Sequence, residues 1–294
     1  MPTDPLAPPR PELLALLDAV KDHPDDDTPR LVLADWLDEY GDRFDAGRAR
    51  LIRRHIAEAR GQHPSATPDQ VRRDEAEVMR RWLAPLGNLV SGRTFVRGLP
   101  HVTVSGPRFL KPDVPALLVS EAFAFVQFVN LEDAGGPRME AMAAVPEFRF
   151  VAGLGVNPFN ALGVHYSAKF FGSPNLTGLR QIDFRGVDPG AAGAQALANN
   201  PALARLRKLL LVHNKLVDKA VAALAASPHL ADLRYLCLSD NKIGDKGAAA
   251  LAESPHLASL RELDLRANPR LTNEGKSLLR DKFGDRVRVD ATLF

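Results

Sequence analysis

Residues 227–245 read SPHLADLRYLCLSDNKIGD and residues 254–272 read SPHLASLRELDLRANPRLT, one pattern written twice. Leu233 and Leu260 hold the same place in it, 27 residues apart. The same interval leads back to Leu206 (LRKLLLVHNKL) and then to Leu179 (LRQIDFRGV). Four successive units thus share L-x-x-[LI]-x-[LF], filled by Leu179/Ile182/Phe184, Leu206/Leu209/Leu211, Leu233/Leu236/Leu238 and Leu260/Leu263/Leu265. A spacing held through matching apolar positions is the signature of a repeat architecture. Upstream the interval loosens but continues. Val151/Leu154/Val156, Val126/Val129/Leu131 and Leu99/Val102/Val104 extend the array to about seven units, starting near 99, 126, 151, 179, 206, 233 and 260.

Within a unit, the leucine-rich piece alternates inward and outward as a short strand with one buried face. A polar turn follows, then alanine-rich stretches such as 219–227 (KAVAALAAS) and 247–254 (GAAALAES), suited to helices packed closely on a sheet. The Ser-Pro-His-Leu pieces at 227–230 and 254–257 end each helix and turn the chain into the next strand. One strand and one helix cannot bury their apolar faces alone. The units are therefore expected to stack into a parallel sheet backed by helices. Arg286–Asp290 (RVRVD) alternates like a strand that closes the array.

These units resemble leucine-rich repeats of the α/β, ribonuclease-inhibitor-like class, L-x-x-L-x-L-x-x-N-x-[LI]-x-x-x-G. Asn214, Asn241 and Asn268 stand at its asparagine, Gly193 and Gly247 at its later glycine, and the likeness covers roughly residues 99–290. Val187, Phe159 and Ala134 replace the asparagine in earlier units, and 155–172 (GVNPFNALGVHYSAKFFG) is unusually aromatic. The resemblance implies a right-handed α/β solenoid that binds partners on its concave face, through the outward strand positions. Those are Gln181/Asp183/Arg185, Lys208/Leu210/Val212, Tyr235/Cys237/Ser239 and Glu262/Asp264/Arg266. Leu210, Val212, Tyr235 and Cys237 make an apolar centre flanked by charge, the anatomy of a protein-binding surface.

The first 98 residues lack the repeat. Residues 11–22 carry Leu13, Leu14, Leu16, Leu17 and Val20 on one helical face. A second helix begins after the HPDDDTPR loop (23–30), with Thr28 as N-cap, buries Leu33, Trp36, Leu37 and Tyr40, and stops at Gly41. A third helix from about 45 to 60 and a fourth from 67 to 84 complete a helical domain (1–84). A linker (85–98) then leads to the repeats (99–294). The string HPDDDTPRLVLADWLDEYGD resembles the repeat-companion domain found before repeat arrays in planctomycetes and myxobacteria, over roughly residues 10–53. That likeness carries no activity and implies a bacterial, cytoplasmic repeat protein.

Other chemistry is thin. Asp25-Asp26-Asp27 lacks the spaced oxygens of a hard-cation loop and reads instead as acids facing a helix N-terminus. His229 and His256 are repeat-equivalent turn residues without metal-ligand spacing. Cys237, the single cysteine, excludes an internal disulfide, fits a reducing compartment and has only His213 near its column as a base. No P-loop, G-x-S-x-G or G-x-G-x-x-G motif occurs, so neither an enzyme, a cofactor, a metal nor a small-molecule substrate is expected. No run of about twenty apolar residues occurs, and the N-terminus, with an acid and four prolines before its first apolar stretch, is not read as a secretory signal.

The expected role is a cytoplasmic scaffold binding an unidentified protein on the concave face. Two other readings stay open. Net charge runs from −8 over residues 1–45 to +6 over 46–98, so arginine-rich helices at 45–84 could track a nucleic-acid backbone. A regulator of a nucleotide hydrolase, like the GTPase activators among similar arrays, would need a rim arginine, either Arg185 or Arg266.

Overall fold

The computed structural model describes residues 10–290 except 43, 63–66, 68, 70, 74, 77–82 and 157–161. The chain divides into two compact units, Met1–Val129 and Asn130–Phe294.

The first unit opens with helices α1 (Pro11–Asp22), α2 (Thr28–Tyr40) and α3 (Asp45–Ala59). Leu13, Leu17, Val20, Leu33, Leu37, Ile52 and Ile56 form its core, joined by Leu99 and Phe125. Leu14 and Tyr40, expected inside, lie outside, with Tyr40 63% exposed. At those positions the inward stripe follows Leu13/Leu17/Val20 and Leu33/Leu37, so the neighbouring apolar residues fall beyond its edge. Helix α2 starts one residue earlier than expected. Thr28 is already helical, and the carboxylate of Asp26 accepts its N–H at 2.8 Å. Gly41 ends the helix in extended backbone (φ −83°) rather than by a left-handed turn. A Cβ there would lie 2.2 Å from the Leu37 carbonyl oxygen, so the requirement is space. Half of the expected fourth helix, 67–84, lies outside the described residues; residues 69, 71–73, 75 and 76 are helical, and Ala84 already begins a 3-10 turn.

The stretch expected as a linker is structured. A 3-10 turn at Ala84–Leu89 leads into β1 (Gly92–Val96), which pairs antiparallel with β2 (Leu99–Ser105). Arg97 and Gly98 form the two-residue turn, both at positive φ (50° and 81°), as a twisted hairpin requires. Gly98 is also confined by contact, because a Cβ there would meet the Ile52 backbone at 2.3 Å.

Three short helical segments, Gly106–Phe109, Val114–Leu118 and Glu121–Ala124, follow β2, and from there strands and longer helices alternate: β3 (Phe128–Glu132), α4 (Gly136–Ala143), β4 (Gly153–Val156), α5 (Gly163–Phe171), β5 (Gln181–Phe184), α6 (Gly190–Asn199), β6 (Lys208–Leu210), α7 (Asp218–Ala225), β7 (Tyr235–Cys237), α8 (Asp245–Ala252), β8 (Glu262–Asp264), α9 (Asn273–Phe283) and β9 (Val287–Arg288). The strands make one nine-stranded sheet in sequence order, parallel in every pair from β4 to β9. Ile182, Leu209, Leu236 and Leu263 pair in register and are buried. The residues beside them, Lys208, Leu210, Tyr235 and Cys237, are half-buried.

Two side-chain ladders set the turns. Ser173, Ser227 and Ser254 donate their hydroxyls to Ala143, Ala198 and Ala225 carbonyls, and Asn200 donates its amide to Phe171. Each satisfies a carbonyl at the end of the preceding unit's helix, where no intrahelical partner exists. At the other end of the strands, the Asn241 amide donates to the Leu211 and Leu238 carbonyls (2.8 and 2.9 Å) and accepts from Asn214 and Leu216 N–H groups. Asn214 and Asn268 repeat this bridging, Asn214 to Phe184, Val187 and Asp188, and Asn268 to Leu238, Leu265 and Ile243. Val187, buried in the asparagine's place, ends the ladder on that side. Phe159 lies outside the described residues. Gly193 and Gly247 are buried where a Cβ would lie 2.9 Å from Ser167 and 2.8 Å from Asp218, so the small residue sets how closely successive units stack.

Candidate functional site

The parallel register arranges the outward strand residues into columns. Gln181, Lys208, Tyr235 and Glu262 form one; Asp183, Leu210, Cys237 and Asp264 form the next. Neighbouring strands lie about 4.8 Å apart, so side chains in a column touch or nearly touch. The Lys208 ammonium sits 5.7 Å from the Tyr235 ring centre, a cation–π pair linking two units. Glu262 pairs with Arg288 of the closing strand at 3.2 Å. Leu210 and Val212 remain half-buried between these charged groups.

The flanking arginines are engaged with their own strands. Arg185 grips Asp183 through Nε and an Nη at 2.8 and 3.0 Å. Arg266 folds onto Asp264 (2.7 Å at its closest), and that carboxylate also accepts the Arg266 backbone N–H. Asp264 is consequently only 6% exposed, unlike the other residues of its column. Hydrogen bonding to the carboxylate raises both guanidinium pKa values above normal. Alternation along β8 puts Asp264 outward, but it does not reveal that an arginine two residues on covers it.

Cys237 is half-buried, and its sulfur lies 3.3 Å from the Ser239 hydroxyl. Desolvation pushes its thiol pKa above the ordinary value, which favours the unreactive protonated form. His213 is oriented by an acid that the sequence pattern did not single out: its Nδ1 lies 2.6 Å from Asp240, one unit further on. Both residues sit in left-handed backbone (φ 56° and 53°) at the rim.

Several of the other sequence candidates have structural partners. Asp26 caps α2, while Asp27 pairs with Arg97 (3.0 Å) and Arg60 (3.1 Å). Among the described arginines of 45–84, Arg48 pairs with Asp45, Arg53 with Asp35 and Asp38, Arg54 with Glu75, and Arg72 with Asp69. Arg80 and Arg81 lie outside the described residues. His229 and His256 are both half-buried, and among the described residues no group of three or more His, Cys, Asp or Glu side chains could hold a metal. None of the described helices is long and apolar enough to cross a membrane.

One arrangement went unread in the sequence. The residue before each repeat strand is arginine four times in succession, at 180, 207, 234 and 261, inside the very strings that define the repeat. The signal was the second letter of L-R-x-[LI], overshadowed by the leucines around it.

A leucine-rich repeat family model matches residues 229–252, which run from the Ser-Pro-His-Leu turn through β7 into α8. No curated protein matches the chain. The match and the mostly parallel α/β sheet fit a leucine-rich repeat protein, a kind of module that mediates protein–protein interaction and is generally non-catalytic.

Proposed function

We propose that the chain is a non-catalytic interaction scaffold whose repeat sheet binds a protein partner on its open, concave face. The observation that carries this reading is the alignment of Lys208, Tyr235 and Glu262 in one column beside Leu210 and Cys237 in the next. That gives an aromatic anchor and an apolar centre within a charged surround. A sheet fixed by asparagine and serine ladders presents those groups with little ordering entropy left to lose on binding. The array is taken as right-handed, following the rule for parallel strand–helix–strand crossovers. Residues 1–84 are taken as a separate helical domain whose segment 10–53 is of the repeat-companion type, and the single cysteine suits a bacterial cytoplasm.

The test is affinity capture from the host lysate with wild-type bait and with Lys208→Glu/Tyr235→Ala. A protein retained by wild type and lost from the double variant supports the concave face. Equal retention by both sinks it. Nucleic-acid binding through 45–84 is the weaker reading, because Arg48, Arg53, Arg54, Arg60 and Arg72 are matched to carboxylates, which leaves Arg50 and Arg73 as the described arginines there without one. It predicts captured material that disappears on nuclease treatment from both baits alike. A nucleotide-hydrolase regulator would have to free Arg185 or Arg266 from its own strand's aspartate first.

A further inference from the structure

The four arginines that precede the repeat strands stack on one another at the N-terminal edge of the sheet. The backbone joins them, each carbonyl of Arg180, Arg207 and Arg234 accepting the N–H of the next arginine at 2.8 Å. The side chains are not equivalent. Arg180 is buried and donates to the Gly178 and Thr177 carbonyls, so it holds its own turn together. Arg207 is half-buried and pairs with Asp232 at 2.7 Å. Arg234 is half-buried, Arg261 is exposed, and among the described residues neither makes an ion pair or a side-chain hydrogen bond. The turns need only their main chain, so the last two guanidiniums serve no internal contact. Like charges at one edge repel unless an anion lies across them.

We propose that Arg207, Arg234 and Arg261 dock an acidic, amphipathic α-helix of a partner protein, an inference that rests on the open-face reading and names the partner's chemistry. The rungs lie about 4.8 Å apart, at roughly 0, 4.8 and 9.6 Å along the array. A helix rising about 1.5 Å per residue carries its i, i+3 and i+7 side chains on one face, at roughly 0, 4.5 and 10.5 Å. An extended peptide places same-face residues about 6.8 Å apart and is out of step by some 4 Å at the third rung. Leu210, Val212 and Tyr235 lie one to a few residues along the strands from the arginines. A helix about 10 Å wide laid across the strands would therefore meet the arginines with an acidic stripe and these residues with an apolar one. A nucleic-acid strand would use the arginines and leave the apolar column uncovered.

The probe is a fluorescein-labelled helical peptide with Glu at i, i+3 and i+7 and Leu on the adjoining stripe, titrated with the full chain by anisotropy. Its Glu→Lys counterpart and a labelled oligouridylate serve as comparisons. The expected result is saturable binding of the acidic peptide that weakens at least about tenfold in Arg234→Glu/Arg261→Glu, while the same variant gains affinity for the lysine peptide. Among the described residues neither arginine side chain has an ion-pair or hydrogen-bond partner, so the variant should keep the wild-type circular dichroism spectrum and melting curve. No binding of the acidic peptide, unchanged affinity in the arginine variant, or oligouridylate binding with the same loss overturns the proposal. Affinity lost in Tyr235→Ala but kept in the arginine variant overturns the arginine edge and leaves the open-face reading standing. Indifference to both sets of substitutions overturns the two together.

Discussion

Gly186, His213, Asp240 and Ala267 follow one another at the 27-residue interval, and all four hold left-handed backbone, with φ between 53° and 65°. The turn before each asparagine position demands that conformation whatever side chain is present. Glycine adopts it freely, and aspartate tolerates it through local hydrogen bonding. Alanine has neither advantage. Ala267→Gly is therefore expected to stabilise the protein by about 0.5–1 kcal/mol, the relief of left-handed strain exceeding the extra freedom given to the unfolded chain. A denaturant midpoint that stays put or falls would contradict the argument. At the same scale, the raised pKa of Cys237 predicts slow alkylation at pH 7 that accelerates only in the alkaline range. Rapid modification of the folded protein at neutral pH would overturn it. Neither feature was legible from composition, since a left-handed position betrays itself only where glycine fills it.

At the scale of elements, the strands were readable because two constraints coincide: a two-residue alternation inside each strand and a fixed interval between strands. The register at β5–β8 follows from both, and the asparagine ladder fixes the turn that follows. Asn241 is buried with both amide atoms engaged. Asn241→Ala strands several backbone groups at once and should cost about 3–4 kcal/mol, measured by urea unfolding. A cost below about 1 kcal/mol would mean that the ladder is not what holds the turns. The start of the sheet was harder to read, since units before Leu179 depart from the 27-residue interval and lack the asparagine. Strand β1 falls in a stretch whose turn is Arg-Gly, with no repeat to flag it.

The carboxylates at helix starts add a pH dependence to this scale. Asp245 accepts from the Thr272 hydroxyl and N–H, which lowers its pKa below the ordinary carboxylate value; Asp26 is lowered by the Thr28 N–H. A carboxylate with a folded pKa below its unfolded one binds fewer protons when folded. Its contribution is complete above about pH 4 and is lost as pH falls through the folded value. Asp245→Asn is isosteric and does not titrate: its Oδ1 can still accept the Thr272 N–H, while its Nδ2 donates to the Thr272 hydroxyl from which the carboxylate accepted. The variant should therefore lose less stability than wild type between pH 5 and pH 2.5, by parallel urea titrations. An identical acid limb in the two proteins would remove Asp245 from the account.

At the scale of the whole molecule, the two kinds of core imply two kinds of response to damage. A repeat array is held by each unit's own stability plus its interfaces with immediate neighbours, so a lesion spreads along the stack before it spreads elsewhere. Helices α1–α3 bury Leu13, Leu17, Leu33, Leu37 and Ile52 in a cluster that Leu99 and Phe125 join. This division was only partly legible. The repeats announce themselves by interval, whereas the helices show only their apolar stripes, whose edges misplace Leu14 and Tyr40. It has a consequence that hydrogen exchange can read. In Asn241→Ala, amides of β6 and β7, whose turns the lost side chain bridged, should exchange markedly faster than in wild type. Amides in the middle of α1–α3 should keep their protection, because local opening costs less than global unfolding. Equal acceleration in the helices would show instead that the chain unfolds as one cooperative body, with its repeats and its helices sharing a single stability.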